Sequence, residues 1–241
     1  MLKNEIRTQE EIERYMAELK NWLRQERGTP PEEMAGFFAK RLALYDSIHL
    51  EHWANEYAHI ADFFHSGLHT LLDLGCGTGL ELKALYQRFP HLKVTGIDLS
   101  EAMLSKLREQ YVGKQIELIP SDYFKYPFPA EYYDAALSFQ TLHHFPYEKK
   151  QEIYMKLFQA IKPGGYYVEC DYIACCKEEE NLCLEQYYHK RKIHHITDDV
   201  FVHIDIPLTL DHQMALLKNA GFHQMRVLYE NCSTMIIRAD K

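Results

Sequence analysis

This 241-residue sequence has no long hydrophobic run and no regular arrangement of cysteines. Its six cysteines follow no repeated spacing, which disfavours a disulfide framework. No stretch approaches the roughly 20 apolar residues that cross a bilayer. The N-terminus is polar and does not resemble a signal peptide. These absences predict a reduced, cytoplasmic protein without a membrane partner.

An excess of positive charge is also missing. The chain has 27 Lys and Arg against 35 Asp and Glu, a formal net charge of −8. Binding to a nucleic-acid backbone draws heavily on Lys and Arg, and here only small basic clusters occur, at 148–150 and 190–192. A nucleic-acid partner is therefore disfavoured, although a local basic groove stays open.

The first part of the chain, residues 1–68, is predicted to form a helical cap. Apolar residues recur at three- and four-residue steps from Ile12 to Leu23, the pattern of an amphipathic helix, and Thr8 with Glu11 fits a capping box. Two further helices are expected, a second that carries Met34 to Leu42 and a third over 50–65. Tyr45 and Asp46 would lie between them.

From residue 69 the pattern changes to strands that alternate with helices. Helices are expected at 78–89, 101–110, 147–161 and 210–219, and strands at 70–74, 93–98, 115–119, 133–139 and 165–173. Such alternation implies right-handed crossovers and a mostly parallel sheet. The tail, 223–238, predicts an antiparallel hairpin, which gives seven strands in a three-layer α/β/α sandwich. Residues 177–209 are interpreted as a helical insertion on the substrate side.

The stretch LLDLGCGTGLE, residues 71–81, ends an apolar strand in a carboxylate and a glycine turn. Glycines leave the backbone open to a ligand because no Cβ intervenes. Dinucleotide folds hold pyrophosphate in a related G-x-G-x-x-G turn, but here Leu80 stands at the position of the last glycine. Asp73 would repel a diphosphate and attract an ammonium group.

Two more carboxylates follow the next strands. Asp98 ends the second strand, where such folds bind ribose hydroxyls. Asp122 follows the third strand, where it could accept from an exocyclic amine. The ligand that these three carboxylates indicate is a nucleoside that carries a cationic group and needs no phosphate.

The motifs LLDLGCGTGLE, VTGIDLSEAML, PSDYFKYPFP, YYDAALSFQTLHHF and LFQAIKPGGYYVECD resemble those of the class I S-adenosylmethionine-dependent methyltransferases, in order and in spacing. The resemblance implies a Rossmann-like fold, residues 69–241 as the methyltransferase domain, and S-adenosylmethionine as cofactor, with S-adenosylhomocysteine as its product. The implied cofactor-binding residues are Tyr45, Asp73, Gly75, Cys76, Gly77, Asp98, Leu99, Met103, Asp122, Tyr123, Phe139 and Gln140.

The sequence indicates less directly which residues bind the methyl acceptor. His143 and His144 follow the fourth strand at the mouth of the expected pocket, where one could act as a general base, although a packing role is the alternative. No metal is expected, because the histidines between 189 and 203 lack metal-ligand spacing.

The predicted function is methyl transfer to an O, N or S atom of a small molecule by a monomer or homodimer. A tRNA or rRNA methyltransferase is one alternative. An NAD-dependent dehydrogenase is another, disfavoured by Asp73 and by the missing third glycine.

Overall fold

The computed structural model describes residue 2 and residues 4–241. Residues 1 and 3, with which the predicted helical cap begins, lie outside the described residues. The helices are α1 (Gln9–Glu26), α2 (Met34–His59), α3 (Leu82–Arg88), α4 (Glu101–Gln110), α5 (Tyr147–Ala160), α6 (Lys177–Ile193) and α7 (Leu210–Asn219). The strands are β1 (Thr70–Leu74), β2 (Lys93–Asp98), β3 (Ile116–Pro120), β4 (Tyr133–Phe139), β5 (Ile161–Ala174), β6 (Leu208–Thr209), β7 (His223–Asn231) and β8 (Thr234–Asp240).

One sheet organises the molecule, with the strand order β3-β2-β1-β4-β5-β8-β7. β8 runs antiparallel to both of its neighbours, and the other pairs along this path are parallel. The short strand β6 pairs with β5 off this path. The predicted Rossmann-like fold and its antiparallel C-terminal hairpin are therefore confirmed. The additional strand β6 is not predicted, because a strand of two residues leaves no recognisable pattern in the sequence.

Alternate residues of the central strands face opposite sides of the sheet, as the period of a strand requires. Leu71 and Leu137 belong to one hydrophobic cluster, which also takes in residues of α3 and α4. Leu72 and Ala136 belong to a second cluster, formed with residues of α5 and α7. Two apolar faces covered by helices make the three predicted layers.

The segment before the sheet differs from the sequence prediction in one respect. The predicted second and third helices are a single helix, α2, and Tyr45 and Asp46 lie inside it instead of between two helices. The chain between residues 42 and 50 holds no proline or glycine to end a helix. The interruption comes later, at Trp53, whose backbone leaves the helical region (φ −129°, ψ 26°).

Helix α1 begins with the predicted capping box, in which Thr8 and Glu11 exchange side-chain and backbone hydrogen bonds. It packs along α6, where Tyr15 Oη donates to Glu179 Oε1 at 2.5 Å and Lys20 pairs with Glu178 at 2.7 Å. The first helix thereby lies over the predicted insertion. Among the helices of the described chain, none is both long enough and apolar enough to span a bilayer.

Candidate active site

The glycine turn after β1 has the bare backbone that its sequence predicts. Gly75 and Gly77 both adopt positive φ, +62° and +49°, a conformation that favours glycine. A Cβ at position 75 would collide with the side chain of Thr141, which follows β4. Any larger residue at Gly75 would therefore force β1 and β4 apart where their ends meet.

Asp73, near the end of β1, is only 1% exposed. Among the described residues, no backbone amide or other fixed donor reaches either of its carboxylate oxygens, and the neighbouring carboxyl is that of Glu81, with which a protonated Asp73 can share a hydrogen bond. Burial and the adjacent carboxylate of Glu81 raise the pKa of Asp73 well above its usual range. Burial raises the pKa of Glu81 as well, to about 7. Buried polar groups without a partner are costly, so this carboxylate pair is suited to a cationic ligand.

Asp98 closes the glycine turn from the end of β2. Its Oδ2 accepts from the Gly77 amide at 3.0 Å and its Oδ1 from the Ser100 amide at 2.8 Å. Each carboxylate oxygen has a second lone pair, so Asp98 retains acceptor capacity for hydroxyl groups. Asp98 thus links the turn after β1 to the turn after β2.

The other predicted cofactor residues lie at the same carboxyl edge or next to it. Leu99 is exposed and Met103 is buried in the first turn of α4. Asp122 follows β3 and accepts from the Phe124 amide at 2.9 Å. Tyr123 beside it is buried against Phe124 and Phe145.

Three further predicted residues are enclosed. Cys76 is buried within the glycine turn. Phe139, at the end of β4, stacks on Tyr57 of α2, with ring centroids 4.0 Å apart. Gln140 follows with φ +50°, and its backbone amide donates to the Cys170 carbonyl at 2.8 Å. Phe139 and Gln140 therefore form the wall between the glycine turn and β5.

Helix α2 lies over the glycine turn. A Cβ at Gly77 would come within 3.3 Å of Tyr45 Oη, so the phenol rests directly on the turn. Asp46 accepts from Thr78 Oγ1 at 2.7 Å and pairs with Lys106 of α4 at 2.7 Å. A ligand can reach the backbone of Gly77 only if Tyr45 moves.

The donors and acceptors at this edge fit S-adenosylmethionine. The carboxyl of Asp73 suits its ammonium group, the Gly77 backbone becomes approachable once Tyr45 moves, and Asp98 retains lone pairs for ribose hydroxyls. The positive charge of the sulfonium suits an edge that carries the carboxyl groups of Asp73, Asp98 and Asp122.

A second group of polar side chains, the histidine cluster, lies at the end of β4 and consists of His143, His144 and Asp205. The two imidazole centroids are 4.0 Å apart. Asp205 Oδ1 lies 3.6 Å from His143 Nε2 and 3.1 Å from His144 Nδ1. The three residues offer ligand atoms that all lie within 4.8 Å of one another, so they could hold a metal ion.

Asp171 of β5 supports this cluster from within. Its carboxylate hydrogen-bonds His143 Nδ1 and accepts from the backbone amides of Leu142 at 2.8 Å and Tyr172 at 2.8 Å. Burial opposes the charge of Asp171, but the His143 imidazole outweighs it and keeps the pKa of this carboxyl below its usual value. His143 is thereby fixed with Nδ1 towards Asp171 and Nε2 towards Asp205.

The two cluster histidines titrate in opposite directions. Burial alone would lower the pKa of His143, but Asp171 raises it above the ordinary value. Burial and the neighbouring His143 lower the pKa of His144. Burial next to His144 also lowers the pKa of His203 to about 3. His144 and His203 are therefore favoured as neutral imidazoles, each with one ring-nitrogen lone pair that can accept a hydrogen bond or bind a ligand.

A cavity of about 280 Å³ opens beside the cluster. Its walls come from α1, the start of α2, β5, α6 and the loop before β6, and include Leu19, Trp22, Phe37, Tyr172, His203 and Asp205. It joins the N-terminal helices to residues of the predicted substrate-side insertion, 177–209. The other histidines of that stretch, His189, His194 and His195, are absent from the cavity lining.

Sequence reasoning missed the partners that give this cluster its geometry. The sequence predicts no specific role for Asp171, Asp205, His203 or Glu81. The position of Glu81 offers a sequence signal, since it is a second acid only two residues beyond the last glycine of the turn. Asp171 and Asp205 offer none, because they approach His143 only when β5 and the loop before β6 fold against it.

The chain is similar to known methyltransferases in sequence and in fold. A family model described as a methyltransferase domain matches residues 71–165. An uncharacterized methyltransferase of Geobacillus kaustophilus is 30% identical over 152 residues, which cover 63% of this chain and 68% of that protein. A bifunctional biotin biosynthesis protein of Teredinibacter turnerae is 27% identical over 165 residues, but these cover 65% of this chain and only 27% of that longer protein.

Among solved structures, human N-acetylserotonin methyltransferase in complex with S-adenosylmethionine superposes with a TM-score of 0.63 at 20% identity, over 86% of this chain and 56% of the human one. The chain thus spans little more than half of that structure, and the likeness shows the fold alone. The sequence matches and the site define the class: the chain belongs to the class I S-adenosylmethionine-dependent methyltransferases. The predicted enzyme class and cofactor are confirmed, and the dehydrogenase alternative is set aside.

Proposed function

We propose that this methyltransferase transfers a methyl group to an O, N or S atom of a small molecule that binds in the cavity beside the histidine cluster. The observation that carries the proposal is the position of that cavity. Its wall includes Asp205 and His203, and Asp205 contacts both histidines that follow β4. Those histidines follow β4, which pairs with β1 in the sheet, the strand that leads into the glycine turn.

The cofactor supplies a methyl group on a sulfonium that is already activated. The part of this chain is then mainly to align donor and acceptor, which can contribute roughly 7–11 kcal/mol. Asp73, Asp98 and the Gly75–Gly77 backbone would hold the cofactor. Leu99, Met103, Asp122 and Tyr123 would border its adenine, and Phe139 and Gln140 would border its sulfonium region.

An O–H or S–H acceptor also has to lose a proton. His143 is suited to this step because Asp171 fixes its Nδ1 and leaves Nε2 directed at Asp205, on the cavity side. His144 lies against the same carboxylate. Positioned proton transfer of this kind contributes about 10²–10⁴-fold. The apolar lining from Leu19, Trp22 and Phe37 favours an acceptor with an aromatic or aliphatic body.

The proposal is tested by incubating the protein with methyl-labelled S-adenosylmethionine and, in parallel, a small-molecule metabolite extract or total RNA. We expect label in a small-molecule product and none in RNA. Label found only in RNA would replace this proposal with the RNA alternative. At a limiting cofactor concentration, Asp98→Ala should strongly reduce transfer in either arm, and Glu109→Ala, which removes an exposed carboxylate on α4, should leave it intact.

A further inference from the structure

The histidine cluster has the composition and spacing of a metal site. We propose that His143 Nε2, His144 Nδ1 and Asp205 Oδ1 bind one divalent transition-metal ion of the class that includes Zn²⁺, Co²⁺ and Fe²⁺. Two imidazoles with one carboxylate suit these ions, whereas Mg²⁺ and Ca²⁺ prefer oxygen ligands alone. The sequence expectation of no metal considered the stretch 189–203, and the site proposed here takes different residues.

The observed distances match those of metal ligands. With bonds of about 2.1 Å, two ligand atoms of a tetrahedral zinc site lie about 3.4 Å apart. Asp205 Oδ1 is 3.6 Å from His143 Nε2 and 3.1 Å from His144 Nδ1. The ligand atoms of the three residues all lie within 4.8 Å of one another, a separation that side-chain rotation about a bound ion would close.

The surroundings of His143 favour coordination. Imidazoles that bind metals usually donate their other ring N–H to a carboxylate or carbonyl, which fixes the tautomer. Asp171 takes this role at Nδ1, and it is 1% exposed and held by backbone amides. The Nε2 lone pair of His143 is therefore directed at the ion position by a rigid part of the sheet.

The charge of the cluster and its access from the cavity are also consistent with a bound metal ion. Asp205 and Asp171 supply two negative charges against the two of the ion. The side chain of Asp205 is 48% exposed and lines the 280 Å³ cavity, so a fourth coordination position would open towards the cavity. Metal sites with three protein ligands and one open position are typical of catalytic centres.

The consequence for catalysis rests on the proposed function, whereas ion binding itself does not. An acceptor hydroxyl or thiol bound at the open position would release its proton to solvent, because coordination lowers its pKa. The oxygen or sulfur then forms a bond to the methyl carbon, and the carbon–sulfonium bond breaks to leave a neutral thioether. With the metal ion bound, His143 would contribute to deprotonation of the acceptor as a metal ligand and not as a general base.

The test is a titration of chelator-treated protein with Co²⁺, followed by its visible absorption, and with Zn²⁺ by competition. We expect one ion per chain and the intense bands of a four- or five-coordinate site. Asp205→Asn and His144→Ala should abolish the bands, and Asp171→Asn should weaken binding about 10- to 100-fold. His91→Ala, at an exposed turn, is the matched control and should bind as the unaltered protein does.

S-adenosylhomocysteine binding by each variant separates this proposal from the proposed function and from misfolding. Retained cofactor binding with lost cobalt binding supports the metal site. Only the weak spectrum of cobalt in water, or equal binding by Asp205→Asn and the unaltered protein, would overturn it, even where methyl transfer is found.

Discussion

Asp73 and Glu81 place two carboxyl groups side by side beneath the glycine turn, 1% and 4% exposed. Within the described chain, no fixed donor reaches the oxygens of Asp73 or one oxygen of Glu81, which leaves the two carboxyls to share a proton with each other. Proteins rarely bury such groups without a reason. We propose that the pair receives the cationic end of the cofactor.

This pair predicts a pH dependence of stability. The pKa of Glu81 rises from 4.5 to about 7 on folding, so between these values the folded chain binds more protons than the unfolded one. The free energy of unfolding therefore falls as pH rises through this window. Glu81→Gln should reduce that fall, as urea denaturation at pH 5 and pH 8 would show. Glu109→Gln should not.

Cofactor binding should release protons for the same reason. A bound ammonium group favours the charged carboxylates, so S-adenosylhomocysteine should bind more tightly at pH 8 than at pH 6 and displace protons at pH 6. Calorimetry in buffers of different ionisation enthalpy measures this release. Affinity independent of pH, with no proton release, would mean that the pair does not meet the cofactor.

Asp98 should contribute to affinity through the ribose. Hydrogen bonds to a charged group contribute about 1.5–3 kcal/mol, so Asp98→Ala should weaken S-adenosylhomocysteine binding about 10- to 100-fold. Asp98 also holds the Gly77 and Ser100 amides. Asp98→Asn, which keeps one acceptor oxygen, is therefore compared by calorimetry and by thermal melting without ligand. An alanine variant that melts normally and binds normally would refute the assignment.

Tyr45 should control access to the glycine turn. Because its phenol rests on Gly77, the ring has to move before a ligand can approach. Tyr45→Ala should therefore speed both association and dissociation of S-adenosylhomocysteine in stopped-flow measurements. Tyr188→Ala, which removes a tyrosine that is 51% exposed on α6, is the control. Unchanged rates in Tyr45→Ala would show that α2 does not gate the cofactor.

His143 and Asp171 should act on turnover and not on cofactor affinity. His143→Ala should reduce methyl transfer by about 10²–10⁴-fold, and Asp171→Asn should reduce it because Nδ1 loses its anionic partner. Both should bind S-adenosylhomocysteine as the unaltered protein does. Full activity in His143→Ala would show that His143 is not a general base and that catalysis rests on the alignment of cofactor and acceptor. His223→Ala, exposed on β7, controls for loss of a histidine.

The cofactor side could be read from the sequence because its residues lie next to the elements that place them. Asp73 and the glycines share one strand-to-helix turn, and Asp98 ends the next strand. The sequence does not predict that Tyr45 lies inside one long helix, because the apolar pattern near residue 45 shows neither the end of a helix nor its continuation. In the structure, this part of α2 packs over the glycine turn.

The acceptor side could not be read in this way. Asp171 lies 28 residues beyond His143, and Asp205 reaches the histidines from a loop without regular structure. Their meeting depends on the pairing of β5 with β4 and on how that loop closes over the edge. Local patterns carry no information on such contacts.

A crystal structure of the protein with S-adenosylhomocysteine tests the central claim most directly. The account predicts the ribose on Asp98, the amino-acid portion against Gly75–Gly77 with its ammonium group at Asp73, and the sulfur facing the histidine cluster. A ligand bound elsewhere, or one whose sulfur faces away from His143 and the adjoining cavity, would contradict it.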